Sequence, residues 1–254
     1  MPQLKVPGLL LNILLLSVLM TCNRPLYADE ILVAVASNFS GVIKKLSDAF
    51  EAKTEHKVIL SPGSTGKHYA QIINGAPFDV FFSADAERPL KLEVEGMTVP
   101  GSRFTYAIGK LVLWSPQQGY VDAEGRVLEQ SDFRHLSIAN PRHAPYGRAA
   151  EQVLRARGLW NGLKGKFVRG ENISQAFRFV KSGNAELGFV AASQVNRPGQ
   201  GIEGSMWDVP QALYTPVRQQ AVLLRDSEAT RAFLAYVKGH DALKIIRDYG
   251  YDTP

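Results

Sequence analysis

Cysteine is almost missing from this chain: there is one in 254 residues, Cys22, and it stands near the N-terminus. Residues 29–254 contain none, which excludes disulfides and thiol chemistry from the body of the protein. An excess of one charge is missing too. The formal net charge of +5 includes Lys5 and Arg24; beyond residue 28, 27 basic residues face 24 acidic ones, a net of +3. The basic residues are scattered and form no cluster interleaved with aromatics, so nucleic acid is not an expected partner. The most apolar stretch, Leu9–Met20, is only twelve residues long and is interrupted by Asn12 and Ser17. A bilayer span takes ~20 residues. The five histidines show no i, i+4 pair, so a zinc site is not expected, and no Gly-x-Ser-x-Gly elbow occurs. Internal repeats and low-complexity linkers are also lacking.

What is present is ordinary globular composition, 45% apolar and 21% charged, at a length suited to one large domain or two modest ones. Residues 1–28 read as a secretory signal peptide: Lys5, the apolar Leu9–Met20, then Leu26-Tyr27-Ala28 before a cut ahead of Asp29-Glu30. An uncleaved membrane anchor and lipid attachment at Cys22 are the rival readings. Thr21 is larger than the Gly, Ala or Ser usual before a lipidated cysteine. An exported, disulfide-free protein fits a bacterial periplasm.

The next segment reads strand, helix, strand, helix, strand. Ile31–Ala36 is continuously apolar, as in a strand buried on both faces. Phe39, Val42, Ile43, Leu46, Ala49 and Phe50 then share one helical face, with Ser47 and the charged residues away from it. Val58–Leu60 is a strand ended by Pro62-Gly63; a helix over about 66–73 stops at Asn74-Gly75; Val80–Ser83 is the third strand. Helices between strands imply parallel pairing and an α/β sheet. The pattern recurs at Leu136–Ala139, Tyr146–Arg157, Phe167-Val168, the helix from Ile173, and Leu187–Ala192. Two long extended runs, Arg103–Trp114 and Val217–Leu224, are candidates for crossings between two lobes, and two helices, about 228–238 and 242–249, end the chain. The expected division is 29–110 plus 218–254 for one lobe and 111–217 for the other.

Four strand-to-helix junctions carry the chemistry: Ser37-Asn38, Ser64-Thr65, Pro145-Tyr146 and Asn172-Ile173-Ser174. Each alone is satisfied by ordinary N-capping. Together they place free N–H groups and hydroxyls where the carboxyl ends of parallel strands line a crevice, a setting for an anion held by neutral donors. Gly63-Ser-Thr-Gly-Lys67 lacks the phosphate-loop spacing, with Ser61 and His68 in the deciding places, so nucleotide hydrolysis is not expected and Lys67 belongs on a solvated face. Asp79 and Asp85 read as turn, cap or lip residues, and Trp114, Trp160 and Trp207 as core or rim.

The chain resembles the periplasmic molybdate-binding proteins of ABC transporters along the whole length beyond residue 28. The resemblance rests on Ala34–Phe39, Gly63-Ser-Thr-Gly66 with Tyr69–Ile72, Asn74-Gly-Ala-Pro77 followed by Asp79–Asp85, Asn140-Pro141 with Ala144-Pro-Tyr-Gly147, Glu171–Ile173 and Leu187-Gly-Phe-Val190. It implies an α/β, two-lobe periplasmic binding protein with two crossovers (type II), each lobe a mainly parallel sheet flanked by helices. It also implies a non-enzymatic, cofactor-free carrier that closes on molybdate, and on tungstate, and delivers it to a membrane-embedded ABC permease. A monomer is expected. The site it implies uses Ser37 with Asn38, Thr65 with Ser64, and the backbone N–H groups of Tyr146 and Ile173. Some members bind ligand with a Tyr directly after the Leu-Gly-Phe-Val strand; here that residue is Ala191, so the contact does not carry over. The alternatives are the same fold binding sulfate, phosphate or another small oxyanion, and, more remotely, a periplasmic phosphate-ester enzyme.

Overall fold

A computed structural model describes residues 29–196, 198–199 and 201–254. The signal peptide expected over residues 1–28, with Cys22, lies outside the described residues. The chain opens with β1 (Glu30–Ala36), a 3₁₀ turn (Ser37–Phe39), α1 (Ser40–Glu51), β2 (Lys57–Gly63), α2 (Thr65–Ile73), β3 (Val80–Ser83), α3 (Glu87–Val94) and β4 (Phe104–Gly109). After one residue, Lys110, β5 (Leu111–Ser115) begins a second unit. That unit continues with β6 (Leu136–Ala139), α4 (Pro145–Ala156), β7 (Phe167–Gly170), α5 (Ile173–Lys181), β8 (Leu187–Ala191) and β9 (Ser205–Asp208). β10 (Val217–Leu223), α6 (Glu228–Lys238) and α7 (His240–Asp248) return to the first.

Two five-stranded sheets result, ordered β2-β1-β3-β10-β4 and β7-β6-β8-β5-β9. They repeat one topology. In each, one strand runs against the other four: β10 pairs antiparallel with β3 and β4, and β5 with β8 and β9. These two are the strands by which the chain arrives from the opposite sheet. The long extended run Arg103–Trp114 is therefore two strands, one in each sheet, joined at Lys110.

The local reasons are legible. β1 is central and nearly wholly buried, whereas β2 is an edge strand with an alternating, half-exposed pattern. β2 runs on through Pro62 and Gly63, which the sequence reading placed after its end. An edge strand tolerates a proline because the lost N–H can face solvent. On α1 the face of Val42, Ile43, Leu46 and Phe50 is buried as the periodicity predicts, and Ser47 is buried beside it. α3 and β9 are short elements that the sequence reading did not assign.

One face of the first sheet packs under α1, α6 and α7 around Phe39, Phe50, Phe82 and Phe233. Phe39 is the pivot at the β1 end, with ring centroids 4.6 Å from Tyr106, 5.6 Å from Tyr251 and 6.1 Å from Phe82. The returning C-terminal helices thus complete the core of the first sheet. Phe233 is fully buried, 5.2 Å from Phe50 and 6.2 Å from Phe82 between centroids. Phe233→Ala is expected to cost about 3–5 kcal/mol, the range for emptying a buried aromatic site. Denaturant unfolding would measure it, and a loss under about 1 kcal/mol would contradict an integral role for α6.

Candidate functional site

The parallel register brings strand ends to one level. Ala36 at the end of β1 pairs with Gly63 at the end of β2, and Ala139 at the end of β6 pairs with Gly170 at the end of β7. Each end leads into a helix start. Ser64 is the N-cap of α2, extended at φ −82°, ψ 142°, and its hydroxyl accepts from Lys67 N at 3.4 Å. Asn172 caps α5, its Oδ1 accepting from Gln175 N at 3.0 Å. Pro145 opens α4, where its missing N–H costs nothing. Gly147, the third residue of this helix, must be glycine for space: a Cβ there would stand 2.3 Å from the Ala139 carbonyl oxygen.

All six residues predicted for the site line one small cavity: Ser37, Asn38, Ser64, Thr65, Tyr146 and Ile173. Each is at most 8% exposed. Ala36, Gly63, Ala84, Ala144, Pro145 and Asn172 complete the wall, so no charged side chain faces the cavity. Its volume is about 10 Å³, near the lower limit for one water. A larger cleft of about 350 Å³ adjoins it, sharing Ser37 and Asn38 and running past Ser40 and Tyr249, but the convergent helix starts single out the small one.

The polar groups around it point one way chemically. Ser37 Oγ accepts from Ser174 N at 3.4 Å, Ser64 Oγ from Lys67 N, and Thr65 Oγ1 from Ala84 N at 2.9 Å. Among the described residues none of these hydroxyls donates to a protein acceptor. The backbone N–H groups of Asn38, Thr65, Tyr146 and Ile173 likewise have no protein acceptor among the described residues. Helix-terminal N–H groups carry partial positive charge and require acceptors. The cavity is therefore a cluster of neutral donors. The Asn38 side chain is turned away from the cavity's hydroxyls. Its Nδ2 donates to Gln219 Oε1 at 2.8 Å and to the Tyr251 hydroxyl at 3.0 Å, so Asn38 offers the cavity its backbone.

The cavity is closed by contacts between elements of the two sheets. Gly66 N donates to His143 O at 2.8 Å and Ser174 Oγ to Ser37 O at 2.9 Å. Ala36 and Ala84 join the apolar cluster of the second sheet. Ion pairs stand at the rim: Lys67–Glu171 at 2.6 Å, Arg148–Asp85 at 2.8 Å and Arg148–Glu87 at 2.7 Å, with Arg88 also on Asp85. Hydrogen bonds from Lys91 and Arg148 hold the Glu87 carboxyl down at about 2. Lys67 is exposed, as expected of it, and Asp85 stands at the lip. Asp79 serves the fold, its carboxylate accepting from Leu32 N at 2.7 Å. Sequence reasoning named Ser174 at its junction but missed the supporting residues Ser193, Gln219 and Tyr251. Gln219-Gln220 did leave a signal, two amides inside the otherwise apolar run Val217–Leu224.

His68 lies on α2 beneath this site, 3% exposed, with Nδ1 3.1 Å from Gln71 Oε1. Burial pushes its pKa down, against the opposing pull of the Gln71 hydrogen bond. The unfolded chain then takes up a proton below about pH 6.5 that the folded protein resists, so this contribution to stability is complete above that pH and declines below it. Wild-type protein is expected to lose more stability between pH 7.5 and 5.5 than His68→Gln, as followed by denaturant unfolding at each pH. Equal losses would contradict the assignment.

Comparison with known proteins agrees with this fold. The curated molybdate-binding protein ModA of Azotobacter vinelandii is 56% identical over 227 residues, covering 88% of this chain and 90% of its own. That of Rhodobacter capsulatus is 48% identical over 242 residues, 94% of each. Among solved structures, the periplasmic molybdate-binding protein of A. vinelandii superposes with a TM-score of 0.85 at 45% identity, over 88% of this chain and 99% of that one. The sulfate-binding protein SubI of Mycobacterium tuberculosis shares the fold alone, at a TM-score of 0.69 and 14% identity over 89% of this chain and 87% of that one. With residues 31–252 matching the family as a whole, the chain belongs to the bacterial extracellular solute-binding proteins.

Proposed function

We propose that this protein captures molybdate, and tungstate with it, outside the cytoplasmic membrane and delivers it to an ABC permease. The observation that carries this reading is the donor set. Three hydroxyls and four backbone N–H groups from both sheets surround one small, buried, uncharged cavity. Such a site suits a compact dianion stripped of water, with the anion supplying the charge in each hydrogen bond. Ser37, Asn38, Ser64 and Thr65 hold it from the lobe formed by residues 29–110 and 218–254. Tyr146 and Ile173 hold it from the lobe formed by 111–217. The lobes close on the ligand and part to release it. The anion is cargo, not a cofactor. Export by the N-terminal segment to the periplasm, and action as a monomer, belong to the same proposal.

Selectivity follows from two physical effects. A cavity of fixed size discriminates among tetrahedral anions by fit. A site made only of donors also disfavours a protonated oxyanion, whose O–H would be buried without an acceptor at a cost of about 1–3 kcal/mol. That works against hydrogen phosphate more than against molybdate or sulfate.

Thermal unfolding and calorimetry with molybdate, tungstate, sulfate and phosphate in parallel test the reading. At ~1,000 times its dissociation constant a ligand stabilises by about 4 kcal/mol. Molybdate and tungstate are expected to do so and phosphate not. A response to sulfate with none to molybdate would transfer the protein to the sulfate binders. Thr65→Asp is expected to abolish binding by placing a carboxylate against the anion while leaving a folded protein. Binding retained in that variant would reduce Thr65 to a helix-start residue.

A further inference from the structure

Gln219 is fully buried in β10, the strand that returns from the second sheet to the first. The β4–β10 ladder slips there: Gln219 faces Ala107 and Gln220 faces Thr105, leaving Tyr106 as the extra residue. Such a bulge re-aims side chains. The Gln219 amide is aimed at two of the four residues that offer the cavity N–H groups, one from each sheet. Its Oε1 accepts from Asn38 Nδ2 at 2.8 Å and from the Tyr106 hydroxyl at 3.0 Å. Its Nε2 donates to the Tyr146 hydroxyl at 3.3 Å. The network continues through Tyr251, whose hydroxyl donates to Asn38 O at 2.9 Å and lies 2.8 Å from Ser193 Oγ beside β8. Burial raises the phenol pKa values, that of Tyr251 to about 12, so these groups remain neutral hydrogen-bonding partners at physiological pH.

The packing leaves no slack at this point. A Cβ on Gly109, the last residue of β4, would stand 2.0 Å from the Tyr146 hydroxyl and 2.7 Å from Gln219 Nε2. Gly109 has no positive φ to explain it; it is there to make room for the tyrosine.

We propose that Gln219 is a positioning residue that couples the two halves of the anion site, holding Asn38 and Tyr146 in register across the hinge so that the lobes close in one arrangement. This rests on the oxyanion reading above. Opening the lobes parts the Tyr146 hydroxyl from Gln219, so closure and donor alignment are one event. Tyr146 touches the anion through its backbone and the hinge through its hydroxyl, which lets the two roles be separated by mutation.

The test compares wild type, Gln219→Leu, Tyr146→Phe and the double variant for molybdate and sulfate, by calorimetry and stopped-flow dissociation, with ligand-free unfolding midpoints as the control for folding. Each single variant is expected to bind about tenfold or more weaker, mainly through faster dissociation. The double variant is expected to be little worse than Gln219→Leu alone, because both remove the same link. Lower unfolding midpoints with unchanged dissociation rates would overturn the proposal, as would fully additive effects. If wild type binds neither anion, the oxyanion reading falls and this proposal with it. If wild type binds and the variants match it, this proposal falls alone.

Discussion

Buried helix starts cannot be left without acceptors, and the rest of this molecule is arranged around that constraint. A helix exposes N–H groups that have no partner in its own first turn, and water normally supplies one. Here the first turns of α2, α4 and α5 and the 3₁₀ turn after β1 meet where almost no water fits. Ser64 and Asn172 satisfy later N–H groups by capping, and Gly66 finds His143 O across the cleft. The N–H groups nearest the axis of convergence remain. A small anion with acceptors on every side answers all of them at once.

The two sheets share one topology because each must deliver strand ends and helix starts to the same plane. Their junction is made by β4–β5 and β10, which carry the chain across without a flexible linker. The rim pairs Lys67–Glu171 and Arg148–Glu87 sit on partly exposed side chains and are worth little individually, about 0–1 kcal/mol each, whereas Asp85, held by Arg88 and Arg148, is buried. The buried amide and phenol network around Gln219 is different in kind, since a lost partner there leaves a desolvated polar group.

Much of this was legible in the sequence. Continuous apolar runs marked β1, β3 and β8, 3.6-residue periodicity marked α1 and α5, and hydroxyl or amide residues at the junctions marked the cavity. β2 was read too short because Pro62 breaks a central strand and not an edge one, and edge position is a tertiary fact. Ser47 was read as outward because a single hydroxyl does not alter helical periodicity. The role of the Asn38 side chain was invisible because its partners, Gln219 and Tyr251, lie 181 and 213 residues away along the chain. Chemistry at the junctions is local; the network that orients it is not.

The choice of neutral donors has a consequence for carriage. An Arg or Lys in the cavity would strengthen binding of any anion, and would be left as a buried unpaired charge whenever the cargo departs. Helix-end N–H groups and hydroxyls carry only partial charge, so each costs less than an ion when it is buried without a partner. Geometry must then do what charge would otherwise do. The aromatic packing of Phe39 and the close seat of Gly147 against Ala139 restrict the donors beside them, and Gln219 is hydrogen-bonded to Tyr146 between them. A carrier that recognises an oxyanion by fit and releases it on demand requires rigid neutral donors on each lobe and a hinge that brings them together in one register.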